Sequence, residues 1–464
     1  MPTGLLLPAN AHANGKYHGT EKGEFSVRRS LRRVFSFAKH LSAGLVVFMV
    51  LGNQTDQANA AWRFEVLPNV EKGKPAVRAV NDSKHDGLYV RVTKLSDTTA
   101  VLESRQFAPA SEITYELPST KEPTHVEVTF TTAPNAQSPL FVWRTVAMPK
   151  GVPPIRYRGA RGFERPADFD EFWIRAKKQL AAVPMEPVIE RVPDRDTSTG
   201  LLYKVTLRSV GDTKIVCWYF VPRDALDDQG QARRRCPAVI IMPGYGAEEP
   251  PIDRTTSGIA TLSVNPRNHG PSRDYWKCPV EHLVWNIADP ENFYYRLAFL
   301  DCLRAAEFLF ERPEIDPKRV AAEGGSQGGL FALALAALEP RIACVCSNVT
   351  AFSAYADGII LGTLGHHKTY REILGRNDTT ATLVRKSLAY TDGANMATRV
   401  RCPVQISMGG MDPVCHYMQG IVVYNRIPKG VPKEYHVAPN VPHAVPPEMR
   451  EWNARWYRRW LGVQ

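Results

Sequence analysis

A serine set among glycines lies in Gly324-Gly325-Ser326-Gln327-Gly328-Gly329. The segment before it, Arg319–Glu323, suits a buried strand. The segment after it, Leu330–Leu338, is apolar on all sides and built from strong helix formers. Strand, Gly-x-Ser-x-Gly and helix together describe a nucleophile elbow. Such a turn lifts the serine hydroxyl clear of a sheet. A side chain at Gly324 or Gly328 would collide with the neighbouring strand or the new helix. The helix start offers free N–H groups suited to a developing oxyanion. The competing reading is an idle serine in a glycine-rich turn.

A serine hydroxyl needs a base, and the base needs an orienting carboxylate. Around an elbow of this kind the chain order is Ser, acid, His. Asp412 ends Gly409-Gly410-Met411-Asp412, directly after an expected strand over 403–408. His443 ends Asn440-Val441-Pro442-His443, after an expected strand over 434–437. Three adjacent strand ends would then present nucleophile, acid and base. Asp412 could instead cap a turn before Pro413, and His443 could be a solvated loop residue. His416 is the rival base, but it lies too near Asp412 to follow a strand of its own. The second oxyanion donor belongs in a loop after an earlier strand. Pro243-Gly244-Tyr245-Gly246 follows an expected strand over 237–242, so the backbone N–H groups of Tyr245 and Gln327 are assigned to the hole. His366 and His367 are expected to shape the pocket.

The elements that must position these residues alternate strand and helix from about residue 201 to the end. An antiparallel pair over 201–210 and 213–221 leads, and a mainly helical excursion covers 350–398. Alternation of this kind implies an α/β fold with a mostly parallel sheet covered on both faces, and ligands gather at the carboxyl ends of its strands. Ahead of it, Phe169, Phe172, Trp173, Ala176 and Leu180 share one helical face in the segment from Pro166. Residues 61–147 carry short alternating runs at 87–92, 112–117, 125–130 and 140–146, which read as a small all-β sandwich-like domain. The Pro-, Gly- and Arg-rich stretch 148–165 reads as a linker, and its composition predicts that residues 151–464 fold without the β unit. The catalytic domain is assigned to 166–464.

Residues 1–60 read as a targeting segment, either a signal peptide or a signal anchor. Arg28, Arg29, Arg32, Arg33 and Lys39 precede the short apolar run Leu41–Gly52, and Ala58-Asn59-Ala60 offers a cleavage pattern. The run is shorter than the roughly twenty residues of a membrane helix. Export to the periplasm or the exterior is expected, with no stable membrane span after processing. The formal net charge is +11, of which residues 1–60 contribute seven Lys+Arg against three Asp+Glu. The remaining basic charge is dispersed, with no dense basic block interleaved with aromatics, which argues against a nucleic-acid partner. Eight cysteines without a C-x-x-C pair predict at most one disulfide and no metal site.

From Arg165 onward the chain resembles the acetyl xylan esterase and cephalosporin-C deacetylase family, carbohydrate esterase family 7. The resemblance rests on Arg165–Trp173, Gly244-Tyr245, Asp289–Arg296, Gly324–Gly329, Leu388–Asp392 with Asn395, and Met411-Asp412. It implies an α/β-hydrolase fold and deacetylation of an acetylated oligosaccharide or another small ester, without metal or organic cofactor. It also implies Ser326 as nucleophile, Asp412 as acid, His443 as base, and Tyr245 with Gln327 at the oxyanion hole. A homo-oligomer is the family's usual state. The family's Arg-Gly-Gln stands here as Arg267-Asn268-His269, its His-Glu as His443-Ala444, and its small proline-rich run after the acid as Pro413-Val414-Cys415-His416. Arg267, His269 and His416 are therefore the pocket candidates. Two other readings compete: a hydrolase of this fold acting on another ester or a peptide bond, and a glycan- or wall-binding protein with a silent hydrolase domain.

Overall fold

The computed structural model describes residues 62–463 apart from 82–86, 135 and 137, so the targeting segment lies outside the described residues. Seven strands come first: β1 (Trp62–Leu67), β2 (Ala76–Asn81), β3 (Leu88–Lys94), β4 (Asp97–Phe107), β5 (Glu112–Glu116), β6 (Thr124–Thr131) and β7 (Phe141–Ala147). They form two antiparallel sheets, ordered β1-β2-β5 and β4-β3-β6-β7. Alternate residues such as Val66, Val77, Val90, Val92, Val128 and Phe130 are buried in a common core. Together they make a seven-stranded sandwich.

Helix α1 (Phe169–Ala181) follows, and the five residues it buries are Phe169, Phe172, Trp173, Ala176 and Leu180. A nine-stranded sheet then takes the order β16-β15-β14-β13-β11-β12-β10-β9-β8. Its strands are β8 (Val188–Arg191), β9 (Gly200–Ser209), β10 (Thr213–Pro222), β11 (Cys236–Met242), β12 (Ala260–Asn265), β13 (Ile315–Gly325), β14 (Cys344–Asn348), β15 (Val404–Gly409) and β16 (Lys433–Ala438). Strands β12, β11 and β13 to β16 run parallel, whereas β8, β9 and β10 join by antiparallel pairing. Leaving aside the edge strand β8, this is the strand order of an α/β-hydrolase. Helices α2 (Tyr294–Phe310) and α3 (Gln327–Leu338) belong to the larger core. The excursion is helical, with α4 (Tyr355–Leu361), α5 (His366–Leu374), α6 (Thr379–Thr391) and α7 (Gly393–Ala397). Helix α8 (Tyr417–Arg426) follows β15, and α9 (Pro447–Leu461) closes the chain. Through Trp456, Tyr457 and Leu461, α9 covers Val239, Ile241, Ala321, Cys344 and Cys346.

Two expectations are corrected here. Strand β14 lies between β13 and β15, so the ends carrying Ser326 and Asp412 are not on adjacent strands. The stretch 148–165 is a packed strap rather than a free linker: Tyr157 and Phe163 are buried. Asp357 on α4 is 1% exposed and accepts hydrogen bonds from Tyr157 Oη at 2.5 Å and the Ala160 N–H at 2.9 Å. His125 Nε2, from β6, lies 2.9 Å from the same carboxylate. The β unit and the larger sheet thus share buried polar contacts and one continuous apolar core.

Asp357→Ala would leave several of these groups without a partner. It should lower stability by about 2–4 kcal/mol, read as a lower midpoint of urea unfolding.

Candidate active site

The elbow is built by close backbone approach. A Cβ on Gly328 would stand 2.1 Å from Met242 O, and one on Gly324 would stand 2.3 Å from the Gly328 carbonyl. Neither neighbour can yield, because both are backbone at the join of β11, β13 and α3. Ser326 itself sits at φ 58, ψ −120, a conformation that L-residues rarely adopt. It is held there from both sides: its N–H donates to Asn348 O at 2.9 Å, and its carbonyl accepts the Ala351 N–H at 3.1 Å. Asn348 Oδ1 in turn accepts from Ser407 Oγ at 2.6 Å.

Ser326, His443 and Asp412 come together as the sequence predicts. His443 Nε2 lies 2.9 Å from Ser326 Oγ, and His443 Nδ1 lies 2.7 Å from Asp412 Oδ2. Asp412 Oδ1 accepts the N–H groups of Val414 and Cys415, each at 2.8 Å. The Asp412 side chain is closed to solvent, whereas that of His443 is 19% exposed. Burial disfavours the His443 imidazolium, and the Asp412 carboxylate beside Nδ1 favours it. In its neutral form the ring can take the Ser326 proton at Nε2, and the carboxylate stabilises the charge that results.

Gln327, the first residue of α3, is fully buried and its amide is locked on both sides. Its Oε1 accepts from Tyr295 Oη at 2.9 Å and lies 3.0 Å from His282 Nε2. Its Nε2 lies 2.8 Å from His269 Nε2. His269 Nδ1 is 3.2 Å from Arg267 O, and His282 Nδ1 is 3.1 Å from Asn268 Nδ2. One proton assignment satisfies every link: His282 carries its proton on Nε2 and His269 on Nδ1. Both rings must then be neutral, and burial drives both pKa values down, that of His269 to about 4.

The pocket candidates prove to be internal. Arg267 is 2% exposed; its guanidinium is bound bidentately by Asp301 at 2.8 Å and donates to Val210 O at 3.0 Å. His269 belongs to the Gln327 network. His416 caps α8, where its Nδ1 accepts the Met418 N–H at 3.1 Å while Nε2 lies 2.7 Å from Arg144 O. All three are buried and bonded to protein partners rather than facing a cavity, so the expectation that they line the pocket is corrected. Tyr245 follows β11, and its hydroxyl donates to Glu281. The Phe352 ring lies tilted 4.1 Å from that of His366, which in turn lies 3.8 Å from that of His367.

Sequence reasoning missed Cys415 and His282. Cys415 is buried beside the site; one group of three potential metal ligands exists among the described residues, Asp412, Cys415 and His443, within 4.8 Å of one another. Two of them are already joined by a hydrogen bond, which suits a proton relay better than a metal centre. Nothing in the local pattern around His282 marks it out, although Tyr295 lies inside the stretch Asp289–Arg296.

Comparisons with known proteins place the chain in a family. A family model described as acetyl xylan esterase (AXE1) matches residues 155–460. The chain belongs to that family and is a carboxylic ester hydrolase. Acetyl esterase Axe7A of Xylanibacter ruminicola is 26% identical over 313 residues, covering 64% of this chain and 67% of that protein. Acetyl xylan esterase 1 from Thermoanaerobacterium sp. JW/SL YS485 superposes with a TM-score of 0.59 at 23% identity, over 66% of this chain and 97% of its own. The acetyl xylan esterase from Paenibacillus sp. R4 gives 0.59 at 24% identity, over 66% and 98%. The family match starts after the β-sandwich.

Gly328→Ala should abolish the folded elbow, because the added methyl meets fixed backbone. The expected cost exceeds about 3 kcal/mol, seen as loss of soluble protein or of the thermal transition. Glu249, near Glu323 at the end of β13, tests a different point. Burial first, and the Glu323 carboxylate second, raise its pKa from 4.5 to about 8. Its contribution therefore favours folding below 4.5 and is lost as pH rises through 8. Glu249→Gln should flatten that part of the curve of Tm against pH.

Proposed function

We propose that the chain is an exported serine esterase that removes acetyl groups from carbohydrate through Ser326, His443 and Asp412. The observation that carries the reading is the unbroken line of contacts from Asp412 Oδ2 to His443 Nδ1, at 2.7 Å, and from His443 Nε2 to Ser326 Oγ, at 2.9 Å. His443 takes the serine proton as Oγ attacks the acetyl carbonyl. Asp412 keeps the ring oriented and balances the imidazolium. The N–H groups of Gln327 and Tyr245 receive the oxyanion; that of Gln327 opens α3 and has no acceptor within the helix. The imidazolium protonates the departing sugar oxygen and leaves an acetyl-enzyme. Water, activated by the same ring, then frees acetate and restores the serine. The substrate class follows from family membership and from the related acetyl esterase. Export rests on the basic, apolar and Ala-x-Ala order of residues 1–60. No described helix is long and apolar enough to cross a membrane.

The decisive assay uses acetylated xylo-oligosaccharides and an aryl acetate. Ser326→Ala and His443→Ala should each lower kcat by about 10⁴- to 10⁶-fold, and the double variant little further. Asp412→Asn should cost less, because it disturbs only the orientation and charge of the ring. A Ser326→Ala enzyme that keeps its rate would overturn the reading. Sequencing the N-terminus of secreted or envelope material should find a start near Ala61; full-length chain confined to the cytoplasm would overturn export.

A further inference from the structure

The β-sandwich lies outside the family match, which begins at residue 155, yet it touches the loops that carry two of the three site residues. The loop after β15 holds Asp412 and runs directly into His416 and α8. Two bonds from β7 reach this short segment. Arg144 O lies 2.7 Å from His416 Nε2, and Thr145 Oγ1 lies 2.8 Å from Tyr417 Oη. Thr145 and Tyr417 are both fully buried. The Arg144 side chain turns elsewhere, to Glu127 at 2.9 Å, so the contact with His416 is made by main chain. The loop after β16 holds His443, and Asn440 on it donates to Glu65 Oε1 of β1 at 3.0 Å.

His416 is well made for a brace. Burial lowers its pKa to about 4, which keeps the ring neutral. The Met418 N–H occupies Nδ1, so the single ring proton sits on Nε2 and points at Arg144 O. Gln419 completes the cap: its Oε1 accepts the His416 N–H at 2.9 Å, and its Nε2 donates to Ser353 O at 2.7 Å. The N–H groups that grip Asp412 Oδ1 belong to Val414 and Cys415, so Cys415 is the immediate neighbour of His416. A shift of His416 is passed through one residue to the hydrogen bonds that orient the carboxylate.

We infer that the β-sandwich is a working part of the catalytic site. Through Arg144, Thr145 and Glu65 it fixes the loops bearing Asp412 and His443, and His416 is the positioning residue for Asp412. The inference rests on the proposed triad, and its test separates the two.

Steady-state kinetics on an aryl acetate are compared for full-length wild type, His416→Ala, His416→Gln, Asp412→Asn and the double variant His416→Ala/Asp412→Asn. His416→Ala should lower kcat on the order of 10- to 100-fold with KM within about twofold, as expected for a misplaced catalytic group. His416→Gln, whose amide can still donate to Arg144 O, should recover most of the rate. In the Asp412→Asn background the same His416→Ala change should cost less than about twofold, because the group it serves is already impaired. An equal loss in both backgrounds would overturn the inference, as would a full-rate His416→Ala beside a crippled Asp412→Asn. Full activity in Asp412→Asn would overturn the triad and the inference together. If His416→Ala does not fold, Tyr417→Phe carries the test. It removes one hydroxyl, and its kcat should fall about three- to tenfold at unchanged KM, again only where Asp412 is intact.

Discussion

The whole site depends on how closely the first turn of α3 approaches the end of β11. There is room for a hydrogen at position 328 and for nothing larger, because Met242 O occupies the space. That approach forces the chain to turn sharply between β13 and α3, and the turn puts Ser326 at positive φ. Such a backbone is stable only when its surroundings over-determine it. Here they do so from several directions: Asn348 and Ala351 hold the serine main chain, and Tyr295, His269 and His282 surround the Gln327 amide. The apolar α3 helix, buried along its entire length, anchors the arrangement in the core.

Much of this was legible in the residues. The five apolar positions of α1 declared their burial through helical spacing alone. The elbow and the chain order of Ser326, Asp412 and His443 were readable because glycine in a strand-to-helix turn, and Ser, Asp and His after strand ends, have narrow physical uses. What stayed hidden had physical reasons. Strand β4 is an edge strand with most of its residues partly or fully exposed, so it carries no apolar alternation, and β8 is exposed along its length. A Pro- and Gly-rich stretch reads as a tether until tertiary contacts bury Tyr157 and Phe163. His416 read as chemistry because histidine so often is, yet its ring spans two layers of the fold, and no local pattern reports a partner 272 residues away.

His269 illustrates how a neutral ring can serve a buried polar network. A neutral imidazole offers one donor and one acceptor, as one face of an amide does. With its Nδ1 toward Arg267 O and its Nε2 toward Gln327, the ring closes the circuit. Below it, Arg267 and Asp301 form a buried pair whose carboxylate also takes the Arg267 N–H and the Ser209 hydroxyl. A buried ion pair is sustainable when its remaining hydrogen-bonding sites are filled in this way.

The eight cysteines bear on how the folded protein meets oxidants and reductants. All are free, seven are buried, and none is joined to another. Burial raises the pKa of the thiols at Cys217, Cys302, Cys344 and Cys346, so they remain protonated and unreactive. The described fold therefore has no covalent cross-link for a reductant to cut and little thiolate for an oxidant to attack. At these four positions sulfur acts as a small apolar filler, and a reagent could reach it only after local opening of the core.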